Sequence, residues 1–308
     1  MDILFLGTGS AWRLPEYSCG CMICKKMNEL DEERTRTSIQ ITTSRRILID
    51  PGPDLLTHMN RYHMELPDLV LITHEHGDHY LGLDELLVFK RALKRNDWTP
   101  IPVYATEITW RIVEERFGYL IGSLVEKRLC QSGVTISIGD TEIIPFKTFH
   151  GPTAEGSVGY VIRQMNDDSV HCKRLIYTSD FAEIETVIPQ MYGADVLVIQ
   201  SHWLNEPVEN RPFHMSLQTA LSFIEKWKPT KRIFLVHISG GDQVLGDPQN
   251  NTVKKIQPKE PMKDPISNAV YSVPLCQEDW DVLVKKISID YSIPCRMTVP
   301  KDGDTFSI

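Results

Sequence analysis

Three imidazoles and two carboxylates fall within six residues, His74-Glu75-His76-Gly77-Asp78-His79, directly after the apolar run Leu69-Val70-Leu71-Ile72-Thr73. Imidazole nitrogen and carboxylate oxygen suit Zn²⁺, Mn²⁺ or Fe²⁺, whereas a structural zinc site more often includes thiolates. A cluster of this kind at the C-terminal end of a buried strand suits a catalytic loop. A cation held by such ligands lowers the pKa of a bound water and so supplies a hydrolytic nucleophile near neutral pH.

Further candidates follow apolar stretches at a distance: His150 in Phe149-His150-Gly151, Asp180 in Thr178-Ser179-Asp180-Phe181, and His237 in Leu235-Val236-His237-Ile238. Taken singly, His150 or His237 could equally be a core histidine and Asp180 a loop cap. His214 precedes an expected helix, where it could cap or pack, and His202 in Ser201-His202-Trp203 follows another apolar strand. His58, His63 and His171 read as surface residues. Of the seven cysteines, three crowd into Cys19-x-Cys21-x-x-Cys24. The odd count and this spacing fit a disulfide framework poorly, and Cys130, Cys172, Cys276 and Cys295 read as structural thiols.

The elements that must position these groups are expected as follows. Residues 3–6 read as a buried strand ending in the glycine loop Gly7-Thr8-Gly9-Ser10, which lacks the Gly-Lys-Ser/Thr ending of a phosphate loop. Residues 37–41 and 46–50 suggest a hairpin, followed by a helix over 54–59. Helical spacing continues over 83–93, and one or two helices are expected over 107–129. Strands are expected at 69–73, 102–105, 134–138, 141–146, 158–162, 174–178, 196–200 and 232–237. Helices follow at 216–227 and 277–286, with an edge strand at 296–299 and a Pro-, Asn- and Lys-rich surface loop or insertion at 243–265. Two blocks of strands and helices imply an α/β (α+β) fold, a four-layer αββα sandwich formed by one domain spanning 1–308.

The motif His74 to His79, preceded by Ile47-Leu48-Ile49-Asp50, resembles the His-x-His-x-Asp-His signature of the metallo-β-lactamase superfamily. That resemblance implies that His74, His76 and His150 bind one metal, Asp78, His79 and His237 a second, and that Asp180 bridges them, with Asp50 orienting a ligand imidazole. Asp78 is thereby counted with the catalytic residues. Leu6-Gly7-Thr8-Gly9-Ser10, the three cysteines, Arg34-Thr35-Arg36-Thr37-Ser38 and Ile49-Asp50-Pro51-Gly52-Pro53-Asp54 look, more narrowly, like the PhnP-type cyclic phosphodiesterases. By that likeness Cys19, Cys21 and Cys24 hold a structural zinc. Its fourth ligand in the family, a histidine three residues after the last catalytic one, is here Gly240, and Asp242 is a weak substitute. In the same likeness His214 is the extra catalytic histidine that neutralises phosphoryl oxygens or protonates the leaving alcohol.

The expected activity is therefore that of a dinuclear metal-dependent phosphodiesterase acting on a small, cyclic or linear, phosphodiester through a metal-bridging hydroxide. Its cofactors are two divalent ions, zinc or manganese with iron also compatible, plus one structural zinc. The alternatives are a tRNA 3′-processing endonuclease, a thioester hydrolase, and a non-enzymatic binding or carrier protein of cofactor biosynthesis. A net charge of -8 argues against broad nucleic-acid binding. No apolar run approaches the ~20 residues of a membrane span, and Met1 to Leu6 is no signal peptide, so a cytoplasmic enzyme without membrane partners is expected. A homodimer is compatible with the chain. Arg13, Tyr17 and Trp203 lie on loops expected to touch substrate.

Overall fold

The computed structural model describes residues 1–94, 97–165 and 172–308. His171, read as a surface residue, lies outside the described residues. Two sheets dominate. The first contains β1 (Asp2–Gly7), β2 (Ser38–Thr42), β3 (Arg46–Ile49), β4 (Leu69–Leu71), β5 (Ile101–Ala105) and β6 (Val125–Leu129) in that spatial order. The second contains β7 (Ile136–Ile138), β8 (Thr141–Phe149), β9 (Val158–Met165), β10 (Cys172–Tyr177), β11 (Glu183–Ile184), β12 (Val196–Gln200), β13 (Arg232–Val236) and β14 (Arg296–Thr298), ordered β11-β8-β9-β10-β12-β13-β14 with β7 paired to β8. A last strand, β15 (Thr305–Ser307), pairs antiparallel with β1.

Alternation along the strands sorts side chains between layers. Ile39, Ile41, Ile47 and Ile49 face Ile162, Tyr177, Val196 and Val198 in the core between the sheets. Leu48, Val70 and Val103 point the other way, onto α2 (Leu55–Tyr62) and α5 (Glu107–Phe117) through Leu55, Trp110 and Val113. On the far side, Phe146, Val161, Leu197 and Leu235 pack against α1 (Met22–Glu29), α6 (Leu217–Trp227) and α7 (Gln277–Asp290) through Met27, Ile224 and Ile287. These are the four layers of an αββα sandwich. Among the described residues no helix is long and apolar enough to cross a membrane.

Two expectations are corrected, at residues 125–129 and at His58, and two further segments become better defined. Residues 125–129 form an edge strand parallel to β5, where helix was expected; Glu126, Lys127 and Arg128 are good helix formers, yet charged residues also suit a sheet edge. The cysteine segment opens helix α1. His58 is buried on α2, its Nε2 2.8 Å from Thr35 Oγ1. Residues 243–265 contain no helix or strand and are pinned to the body at a few points: Val244, Asp247, Lys255 and Met262 are buried, and Asp242 and Pro258 make β-bridges to Ile256 and Pro207.

Candidate metal centre

Six of the strands deliver chemistry to one edge. Asp50 follows β3, His74 to His79 follow β4, His150 follows β8, Asp180 follows β10, His202 follows β12 and His237 follows β13. β3 and β4 run parallel, as do β10, β12 and β13, so their C-terminal ends gather on common sides. Asp50, Ser179 and His237 adopt left-handed backbone conformations, with φ of 57°, 58° and 64°. For residues with side chains this costs on the order of 1 kcal/mol and turns the chain abruptly at each strand end.

The gathered side chains form two adjoining sets. Ligand atoms of His74, His76 and His150 lie within 4.8 Å of one another, and so do those of Asp78, His79, Asp180 and His237. Asp180 reaches both: its Oδ2 is 2.8 Å from His237 Nε2, 3.5 Å from His79 Nε2 and 3.9 Å from His150 Nε2. Glu75, the remaining carboxylate of the motif, turns away to accept from Thr109 Oγ1 and the Gly156 N–H.

Surrounding groups fix the imidazoles. Asp50 Oδ2 lies 2.9 Å from His79 Nδ1, while its carboxylate accepts from Thr73 N and Oγ1 and from Tyr177 Oη. Because the Thr73 hydroxyl donates to Asp50, it accepts from Ser179 Oγ (2.6 Å) and from His74 Nδ1 (3.0 Å). His150 Nδ1 donates to Phe213 O at 2.8 Å. His74 and His150 are therefore held as tautomers with Nε2 bare. His76 engages Thr153 Oγ1 through Nε2 and turns Nδ1 toward His150 Nε2, 3.2 Å away.

Whether metal ions fit this set is answered by the orphaned atoms. His74 Nε2, His79 Nε2 and His237 Nε2 are buried with no hydrogen-bond partner; the nearby carboxylate oxygens lie off the N–H directions. Three bare or misaligned imidazole nitrogens facing acidic oxygens would each be costly in a dry site, and divalent cations satisfy them all. The charge balance agrees. Burial opposes charge on His79, but Asp78 and Asp50 outweigh it and hold the imidazole pKa well above its ordinary value. Burial likewise works against ionised Asp180, yet the His237 and His79 charges hold its carboxyl well below the usual range. The pocket seeks positive charge among its carboxylates.

His214 stands at the rim of the same cluster, 3.7 Å through Nδ1 from Asp180 Oδ2. Gln200 Oε1 accepts from the N–H groups of Phe181 and Met215, which leaves its Nε2 to donate to His214 Nδ1 at 2.7 Å. His214 thus carries its proton on Nε2, and burial first of all keeps its pKa well below the ordinary value. His202 stacks on His214, centroids 4.0 Å apart, and its Nδ1 sits 3.1 Å from His237 Nδ1. Thr73, Ser179 and Gln200, which orient this machinery, carry no motif that would have singled them out.

The second expected metal site fits less well. The three cysteine sulfurs do lie within 4.8 Å of one another, but Lys254 Nζ stands 3.1 Å from Cys19 Sγ and 3.7 Å from Cys24 Sγ. Asp242 does not substitute for the absent histidine, because its carboxylate is taken by the N–H groups of Leu204 and Asn205 and by the Asn205 side chain.

Residues 45–238 match the family model described as the Beta-lactamase superfamily domain, and the chain belongs to that family, the hydrolase superfamily of the metallo-β-lactamase fold. Among individual relatives it is similar to Ribonuclease Z from Pyrococcus abyssi (strain GE5 / Orsay), 22% identical over 276 residues that cover 75% of this chain and 83% of that protein. It is 32% identical over 177 residues to the Octanoyltransferase of Porphyromonas gingivalis (strain ATCC BAA-308 / W83), which covers 54% of this chain and only 34% of that protein, so the chain spans about a third of that relative's length. Its fold is shared by a diphosphatase of the PhnP family (TM-score 0.68, 22% identity, 100% of this chain and 97% of that one). It is shared too by Zn(2+)-bound PqqB from Methylobacterium extorquens (TM-score 0.69, 18% identity, 100% of both chains).

Proposed function

We propose that this chain is a dinuclear metal-dependent phosphodiesterase acting on a small phosphodiester. The single observation that supports it most is the pairing of two adjoining ligand sets, bridged by Asp180, with His214 held beside them as an Nε2–H donor by Gln200. His74, His76 and His150 would hold one ion, Asp78, His79 and His237 the other, and Asp180 would touch both. Bound there, zinc or manganese would supply a nucleophile from water and Lewis-acid stabilisation of the phosphoryl oxygens.

The chain's own residues do the rest. Asp50 keeps the His79 ring in place, and Thr73 and Phe213 O keep Nε2 of His74 and His150 facing inward. His214 donates a hydrogen bond from its Nε2–H to a phosphoryl or leaving-group oxygen and so stabilises the charge that develops there. A cleft of about 500 Å³ lined by Trp12, Arg13, Tyr17 and Arg36 lies on the loop after Ser10, whose N–H bonds Ile238 O next to His237. Its size suits a small substrate, and its two arginines are paired there with Glu33 and Asp54.

The test is a panel of cyclic nucleotides, bis(p-nitrophenyl) phosphate, pre-tRNA and acyl thioesters, assayed with and without a chelator. Turnover of small diesters, lost on chelation and lost in His76→Ala, is expected; full metal-dependent turnover by His76→Ala would sink the assignment. The extent of the Ribonuclease Z likeness favours a second reading, a tRNA 3′-end nuclease, which preference for pre-tRNA would establish. Activity confined to thioesters counts against both.

A further inference from the structure

The cysteine loop is closed by a lysine. Lys254 Nζ donates to Cys19 Sγ at 3.1 Å and to Glu16 Oε1 at 3.0 Å, and lies 3.7 Å from Cys24 Sγ. A Cβ placed on Gly240 would stand 3.2 Å from that same nitrogen and 3.6 Å from Glu16 Oε1. The corner into which a zinc-binding side chain at position 240 would project is thus filled by the Lys254–Glu16 ion pair. The Lys254 amine, paired with the Glu16 carboxylate at 3.0 Å, stands in the corner as an ammonium. A second cation in this half-buried corner would be repelled.

The strap that carries Lys254 also makes the cross-link a metal would make. Asp247 Oδ2 accepts the Met22 N–H at the start of α1, at 3.0 Å. Lys255 Nζ, buried, donates to Asp242 O at 2.7 Å, and Ile256 N to Gly241 O at 2.9 Å. Residues 19–24 are in this way tied to the segment after His237 by protein groups alone.

We propose that the Lys254 ammonium replaces the zinc ion of the cysteine loop, so that the chain, given the dinuclear centre proposed above, holds two metal ions. The assignment is independent of the substrate.

Cobalt substitution of the full chain tests it, since only a sulfur-bound ion gives a near-ultraviolet sulfur-to-cobalt charge-transfer band. The wild-type protein is expected to take up two ions per chain without that band, and zinc saturation is expected to change the rate of Cys19 labelling by iodoacetamide by less than about twofold. The double variant Gly240→His/Lys254→Ala is expected to gain a third ion and the band. A third ion and a sulfur band in the wild-type protein, both lost in Cys21→Ser, would overturn the proposal. So would a folded double variant that still takes only two ions. Should the double variant fail to fold, the wild-type metal count and spectrum decide alone.

Discussion

What a histidine does in this cluster depends on which ring nitrogen its neighbours leave bare. Thr73 and Phe213 O take the Nδ1 protons of His74 and His150, and both rings then offer Nε2 to a cation. His214 differs from these two: Gln200 donates to its Nδ1 at 2.7 Å, so the atom facing outward carries a hydrogen. His237 Nδ1, 3.2 Å from Gln200 Nε2, also lies 3.1 Å from His202 Nδ1, which can take its proton and leave Nε2 bare. A proton donor and a metal ligand need different tautomers, and this difference predicts different mutant phenotypes. His214→Ala should lower kcat by about 10²- to 10³-fold, the usual range for a lost hydrogen-bond donor to a developing oxyanion, with metal content unchanged by elemental analysis. Loss of an ion from His214→Ala would show instead that the ring is a ligand, a role its proximity to His150 and Asp180 makes geometrically available.

At the level of elements, legibility tracked how strongly a segment's pattern was tied to burial. The strands that deliver the ligands are apolar runs ended by polar residues, and Ser216 caps α6 through its hydroxyl, which accepts from Thr219 N; these were readable. β6 was not, because Val125-Glu126-Lys127-Arg128-Leu129 is helical by propensity and becomes a strand only by pairing with β5. β15 is three residues long and exists through its pairing with β1, a partner nearly the whole chain away. His58 was misread for a related reason: its polar neighbours suggest surface, while tertiary contacts bury it. Thr35 Oγ1 donates to Asp302 Oδ2 at 2.6 Å, so His58 must donate its Nε2–H to that hydroxyl. Burial depresses its pKa from 6.5 to about 4. As pH falls from 6.5 toward 4, the unfolded chain takes up this proton and the folded chain does not, so stability present above pH 6.5 is lost over that window. The loss reaches roughly 2–3 kcal/mol near pH 4.5. His58→Gln, whose amide can also donate to Thr35, should therefore lose less stability than wild type between pH 7 and pH 4.5 in parallel urea titrations; equal losses would contradict this account.

Across the whole molecule, the ligand cluster spans the boundary between the two sheets. His74, His76, Asp78 and His79 hang from the first sheet, and His150, Asp180 and His237 from the second. The sandwich core joins the layers by apolar contact, but at this edge the joining groups are polar and buried, with Nε2 of His74, His79 and His237 unsatisfied. Ions bound there would tie the sheets together where hydrophobic packing does not. Because such ions bind the folded cluster and have no preformed site in the unfolded chain, their binding free energy adds to stability. Free metal at about a thousand times its dissociation constant contributes about 4 kcal/mol per site, equivalent to roughly 6 °C in Tm per site for a chain of this size. Stripping the protein with a chelator should lower its unfolding midpoint by at least that amount, and readdition of Zn²⁺ or Mn²⁺ should restore it in a concentration-dependent way. The cysteine loop should not share in the effect, since Lys254 closes it without metal. A midpoint indifferent to chelation would mean that the two sheets are held by their apolar core alone and that the cluster takes up no stabilising ion.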